Sequence, residues 1–260
     1  MMRQSRRAFL SGTAGLVAIA IDRDVAQAQV NDKETAQPSL PAKSESPLII
    51  SEISGIKIPD SAMAIQATEL LREHCNELLY NHTLRVFIFA ALNGNQNKLR
   101  YDAELLYVST MFHDLGLTEH YRSNDKRFEV DGANAARDFL RGFGVAPQSL
   151  QLVWDAIALH TSPGIAEYKE PEVALLNYGA ALDVIGKGYD QLSFGIREEI
   201  VRQFPRNGLK KKMINTFFEG FKHKPHTTYG SINADICACM LPSYQKKDYC
   251  DMILHSPWSE

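Results

Sequence analysis

The sequence has only four cysteines in 260 residues, Cys75, Cys237, Cys239 and Cys250, and none of them forms a CxxC pair. That excludes a zinc ribbon and a dense disulfide scaffold. Basic charge is also short. The 28 Lys and Arg stand against 31 Asp and Glu, net −3, so no broad cationic surface exists to neutralise phosphates and extended nucleic-acid binding is excluded. No glycine-rich phosphate loop is present, strand-like alternation is almost lacking beyond Pro59, and the one strongly apolar run is too short to span a bilayer. What remains, 45% hydrophobic and 23% charged residues, is enough to bury the core of one ordinary domain. A small molecule is the expected partner.

The N-terminus reads as a separate object. Arg6 and Arg7 precede "AFLSGTAGLVAIAI", and "AQAQ" follows after Asp22. That order matches a bacterial export signal of the twin-arginine type over residues 1–28, with cleavage after Ala28 and a periplasmic destination. Without it the chain carries 24 basic and 29 acidic residues, net −5, and no stable membrane insertion is expected. Residues 29–47 are polar and proline-containing and read as a flexible tether. The folded domain then spans 48–260.

From Pro59 the chain reads as successive helices, and the predicted class is an all-α bundle of antiparallel helices. A first helix runs through "PDSAMAIQATELLREHCNELLYNH" with Asp60 as N-cap, and a second, "NHTLRVFIFAALNG", stops at Asn93-Gly94. The third, "DAELLYVSTMFHDLG", is capped by Asp102 and stopped by Gly116. "DGANAARDFLRGFG", with Asp131 as its N-cap, and "SLQLVWDAIALHTSPG" are the fourth and fifth. A sixth starts near Pro171 and ends at Gly186, and further helices follow Ser193. Cys250 could bridge to Cys237 or Cys239, with buried free thiols as the alternative. Lys210 to Lys212 read as a solvated helix face. Trp258 reads as exposed, free to dock on the domain or on a second subunit, which leaves a homo-oligomer open.

Polar residues stand out on these apolar helices. His82 falls in the first turn of the second helix, His113 and Asp114 at the end of the third, and Asp183 late in the sixth among Leu182, Val184 and Ile185. A lone buried carboxylate costs several kcal/mol or shifts its pKa, on the order of the penalties seen in protein interiors. A divalent cation removes that cost. Imidazoles with carboxylates suit Zn, Fe, Mn or Ni and leave coordination positions for water.

His82, His113-Asp114 and Asp183, in that order on successive helices, resemble the H…HD…D signature of the HD-domain superfamily of metal-dependent hydrolases. "NHTLRVF", "FHDLGLTEHY", "RFEVDGANAARDFL" and "ALHTSPGIAE" resemble its cyanamide hydratase branch. The resemblance covers about residues 58–190. It implies that His82, His113, Asp114 and Asp183 bind one divalent ion, zinc first, and that Asp114 also orients or deprotonates the attacking water. Two-metal relatives carry further histidines in the interval that here holds only His120 and His160, so one metal is expected.

Several other residues are candidates for the site. His160 ends the fifth helix, where it can meet substrate or a water at the ion. Lys187, one turn past Asp183, could pair with that aspartate or act as a catalytic cation. "DKRFEVDGANAA" reads as a loop covering the site, offering Arg127, Phe128, Glu129 and Asp131 to substrate. The expected reaction is addition of water to a small electrophile such as a nitrile. A phosphomonoesterase, with Lys126, Arg127 and Lys187 clamping phosphate, is the alternative, and a metal-binding sensor is a third reading.

Overall fold

The computed structural model describes residues 50–258; the export signal and tether read at 1–28 and 29–47 lie outside the described residues. A short hairpin, β1 (Glu52–Ile53) paired antiparallel with β2 (Ile56–Lys57), places Ile53 opposite Ile56 and buries both. Ten helices follow: α1 (Ala62–His74), α2 (Glu77–Gln96), α3 (Ala103–Phe112), α4 (Phe128–Gly142), α5 (Pro147–Leu159), α6 (Pro171–Ile185), α7 (Phe194–Gln203), α8 (Leu209–Phe221), α9 (Ile232–Met240) and α10 (Tyr249–Leu254). The predicted all-α class is what the chain adopts. No described helix is long and apolar enough to cross a membrane.

Local chemistry explains most boundaries. Asp102 Oδ1 accepts from the amides of Glu104 and Leu105 at the start of α3, satisfying donors that have no partner inside the helix. Gly186 ends α6 at φ 78°, a left-handed conformation that costs glycine least. Elsewhere the expectations need correcting. The segment read as one helix from Pro59 to His82 is two, because the chain turns extended at Cys75 (ψ 146°) and Asn76 starts α2 by accepting from Leu79 N. Ser61, not Asp60, caps α1, and α2 continues past Gly94 to Gln96.

The α2 helix is the centre of the bundle. From Leu78 to Leu92 it is buried at every position except Tyr80, as expected for a helix apolar on nearly all sides. Val86, Ile88, Leu106, Val108, Met111, Val153, Ile157 and Leu176 have no solvent exposure, each worth about 1.5–3 kcal/mol of burial. Gly179 lets α6 lie close against α2, since a Cβ there would stand 2.4 Å from Val86 O. Leu78, Leu117, Phe128, Met213, Phe217 and Phe221 build a second apolar cluster under the C-terminal helices. All four cysteines are free, with Cys239 and Cys250 exposed. Lys210, Lys211 and Lys212 are exposed as read, and so is Trp258.

Candidate metal centre

Four side chains from the ends and middle of three neighbouring helices, α2, α3 and α5, converge in the bundle. His82 lies in the second turn of α2, one turn further in than read from sequence. His113 is the C-cap of α3, and Asp114 follows it at φ −107°, ψ 0°, in the sparsely populated bridge region. His160 is the C-cap of α5. His113 Nε2 lies 3.3 Å from His82 Nε2 and 3.3 Å from Asp114 Oδ2, while His82 Nε2 is 3.4 Å from the same oxygen. Asp114 Oδ1 faces His160 Nε2 at 3.7 Å. Each of the four residues is at most 4% exposed.

The other ring nitrogen of each histidine fixes its tautomer. His113 Nδ1–H donates to Thr110 O at 2.7 Å and His160 Nδ1–H to Ile157 O at 2.6 Å. The two helix ends use one device, in which the capping imidazole turns back to the carbonyl three residues earlier and aims Nε2 outward. His82 Nδ1–H donates to Asp183 Oδ2 at 2.7 Å. As neutral imidazoles, all three therefore turn Nε2 lone pairs toward Asp114, both of whose oxygens are buried with no hydrogen-bond partner. An all-acceptor cluster of this kind is costly, on the order of 1–3 kcal/mol per unsatisfied group and more for a charge. A proton or a cation would satisfy these acceptors.

The ionisation tendencies agree with that. Burial would raise the Asp114 carboxyl, but His113 and His82 hold it well below the usual carboxylate range. Burial would likewise lower His82, and the neighbouring Asp114 and Asp183 carboxylates overcome this and raise it. His160 goes the other way, lowered to about 4 by burial first and by His113 second. The ligating atoms of His82, His113 and Asp114 lie within 4.8 Å of one another. This nitrogen and oxygen donor set fits a first-row divalent cation. Cys75 adds no thiolate, because burial foremost and the charge of Asp114 after it push its thiol up to about 12.

Asp183 stands apart from these groups. It lies behind His82, and Arg85 forks onto it with Nε to Oδ1 and Nη2 to Oδ2, both at 2.8 Å. Arg206 donates to its carbonyl at 2.8 Å and to Oδ1. In this arrangement both carboxylate oxygens are committed, and Asp183 orients the His82 ring instead of facing the open side of the cluster. Arg85 has no exposure and also donates to Phe204 O and Pro205 O. Sequence reasoning missed it; its signal was an arginine one turn past His82 in an otherwise apolar helix.

The residues read as a covering loop are mostly interior. Phe128 and Glu129 open α4 and have no exposure, Phe128 packing on His160, Phe217 and Phe221. Arg127, not Asp131, precedes α4 as N-cap, and it pairs with Glu129 at 2.7 Å. Glu129 also accepts from Thr161 Oγ1 and Asn233 Nδ2. Asp131 is paired with the fully buried Lys224 at 2.6 Å. Arg127 lines a cavity of about 390 Å³, and none of the four lines the cavity at the histidine cluster. Lys187 does not reach Asp183; it pairs with Glu167 at 2.9 Å, nearly half exposed. It shares the wall of a cavity of about 170 Å³ with His82, His113, Asp114, His160 and Asn177. The rest of that wall is largely apolar, including Ala180, Val184 and Phe217.

Comparison with known proteins agrees with this centre. Residues 79–192, from α2 through α6, match the family model described as HD domain. Over 152 residues, 57% of this chain and 68% of the relative, the sequence is 26% identical to each of two Saccharomyces cerevisiae proteins named cyanamide hydratase DDI2 and cyanamide hydratase DDI3. The matched HD region contains His82, His113, Asp114, His160 and Asp183. Residues 79–192 are thus similar to an HD domain, and the buried His82, His113 and Asp114 cluster lies within the matched stretch.

Proposed function

We propose that the chain hydrates a small neutral electrophile of the nitrile or cyanamide type, with His82, His113 and Asp114 holding one divalent ion, zinc first. The observation that carries this reading is the buried Asp114 carboxylate, whose two oxygens have no hydrogen-bond partner and face three imidazole Nε2 atoms. When bound, the ion supplies acidified water and polarises the electrophile.

The chain's own groups divide the remaining work. Asp114 is placed to hold the attacking water and take its proton. His160 stays neutral at ordinary pH and offers Nε2 as a hydrogen-bond acceptor beside Asp114. In hydration a C–O bond forms, one C–N π bond opens and both water protons end on the product, so no leaving group needs space. A cavity of about 170 Å³ suits that; it is smaller than the roughly 300–1,000 Å³ that drug-sized ligands occupy. The names of the yeast relatives support the same substrate class.

The phosphomonoesterase reading loses ground because the expected clamp is already committed. Lys126 pairs with Asp125, Arg127 with Glu129 and Lys187 with Glu167, and Arg85 and Arg206 hold Asp183. The test is to reconstitute the protein with Zn, Fe, Mn or Ni and offer cyanamide, acetonitrile and a generic phosphomonoester. Urea from cyanamide is the expected product. Phosphate release without urea would overturn the reading, and bound metal with no turnover would favour a sensor.

A further inference from the structure

Asn177, on α6 six residues before Asp183, was not singled out by any sequence pattern. It is 3% exposed and lines the cavity that holds the histidine cluster. Its Nδ2 donates to the backbone carbonyl of His160 at 2.9 Å. That bond fixes the amide, because turning it over would set two oxygen acceptors against each other. Oδ1 is then left buried with no partner.

The other polar side chains of this wall point the same way. His82, His113 and His160 spend their Nδ1 hydrogens on Asp183 and two backbone carbonyls. Thr161 gives its hydroxyl hydrogen to Glu129 at 2.6 Å. Asp114 accepts only. Lys187, paired with Glu167 and nearly half exposed, and the second Nδ2 hydrogen of Asn177 are the remaining side-chain donors among the lining residues. A neutral guest therefore meets mainly acceptors, and the unpartnered acceptor away from the ion-binding groups is Asn177 Oδ1.

We infer that Asn177 Oδ1 is a specificity-determining acceptor that selects substrates carrying an N–H beside the electrophilic carbon, cyanamide-type molecules over alkyl nitriles. This rests on the hydratase reading for the identity of the electrophile, but the acceptor itself follows from the hydrogen-bond inventory. A buried acceptor left unpaired by the wrong guest discriminates more strongly than shape does. Cyanamide and acetonitrile form a matched pair, differing by amine against methyl on the same three-heavy-atom frame.

The test measures equilibrium binding of both molecules to the metal-loaded full chain, together with kcat/KM, in the natural protein and in Asn177→Leu. Metal content and Tm are recorded for each. The natural protein is expected to prefer cyanamide, and Asn177→Leu to lose about 10- to 100-fold of that preference with acetonitrile binding little changed. A purely structural role would weaken both ligands in parallel, and that result, or an unchanged preference, overturns the inference. Selective cyanamide binding without turnover would sink the hydratase reading and leave the acceptor standing. Failure of the natural protein to bind either molecule would remove both.

Discussion

Cutting the Arg85–Asp183 pair tests whether the back of the centre is organised as described. Both side chains have zero exposure, and Arg85 spends four hydrogen bonds on Asp183 and on the carbonyls of Phe204 and Pro205. Removing Asp183 leaves the Arg85 charge buried and uncompensated, and removing Arg85 leaves Asp183 with only His82 and the partly exposed Arg206, at about 3–5 kcal/mol for a buried pair so broken. Arg85→Met and Asp183→Leu should each cost that much in urea unfolding at pH 7, with chelator present so that metal binding does not mask the change. At about 2–4 °C per kcal/mol for a domain of this size, Tm should fall by roughly 6–20 °C. The double variant Arg85→Met/Asp183→Leu removes both charges and should be at least about 2 kcal/mol less destabilised than the sum of the singles. Single variants each costing under about 1 kcal/mol, or a double equal to the sum, would refute the reasoning.

Other perturbations probe separate parts of the account. Asp183→Asn should retain the ion but bind it about 10- to 100-fold more weakly, since the residue orients His82; competition with a calibrated chelator measures this. Gly179→Ala should destabilise by about 1–3 kcal/mol in denaturant melts, because the new methyl meets Val86 O and must part α6 from α2. Glu129 is buried, which alone would raise its carboxyl, yet Arg127 holds it below its ordinary 4.5. The unfolded chain therefore takes up the proton first. Stability from this group is complete above about pH 4.5 and lost as pH falls through the folded value, so Glu129→Gln should flatten the stability profile below pH 4.5.

What could be read from the sequence was what local chemistry decides. Asp102 caps α3 and Pro171 and Gly186 bound α6 through hydrogen bonds and backbone preferences within a few residues. His82, His113 and Asp114 stood out because apolar helices hold lone polar groups at high cost. The break at Cys75–Asn76 was hidden because apolar spacing continues through it, leaving only the Asn76 cap as a sign. Long-range pairings were out of reach for a different reason. Arg85 meets Asp183 98 positions away and Lys224 meets Asp131 93 away; apolar neighbours mark Arg85 and Asp183 as interior, but nothing local says which partner each of these residues takes. Asp131 and Glu129 were read as groups of a covering loop that line the pocket, because their partners Lys224 and Asn233 lie on distant elements. Asn177 became visible only when the donors and acceptors around the cavity were paired off.

The central claim is that the orphaned Asp114 carboxylate and its imidazole neighbours form a cation site. Metal content per chain, measured on purified natural protein and on Asp114→Ala after loading with divalent metal and exhaustive dialysis, tests it most directly. One retained ion in the natural protein and none in Asp114→Ala is the predicted result; no retained ion in the natural protein, or full retention in the variant, would contradict it.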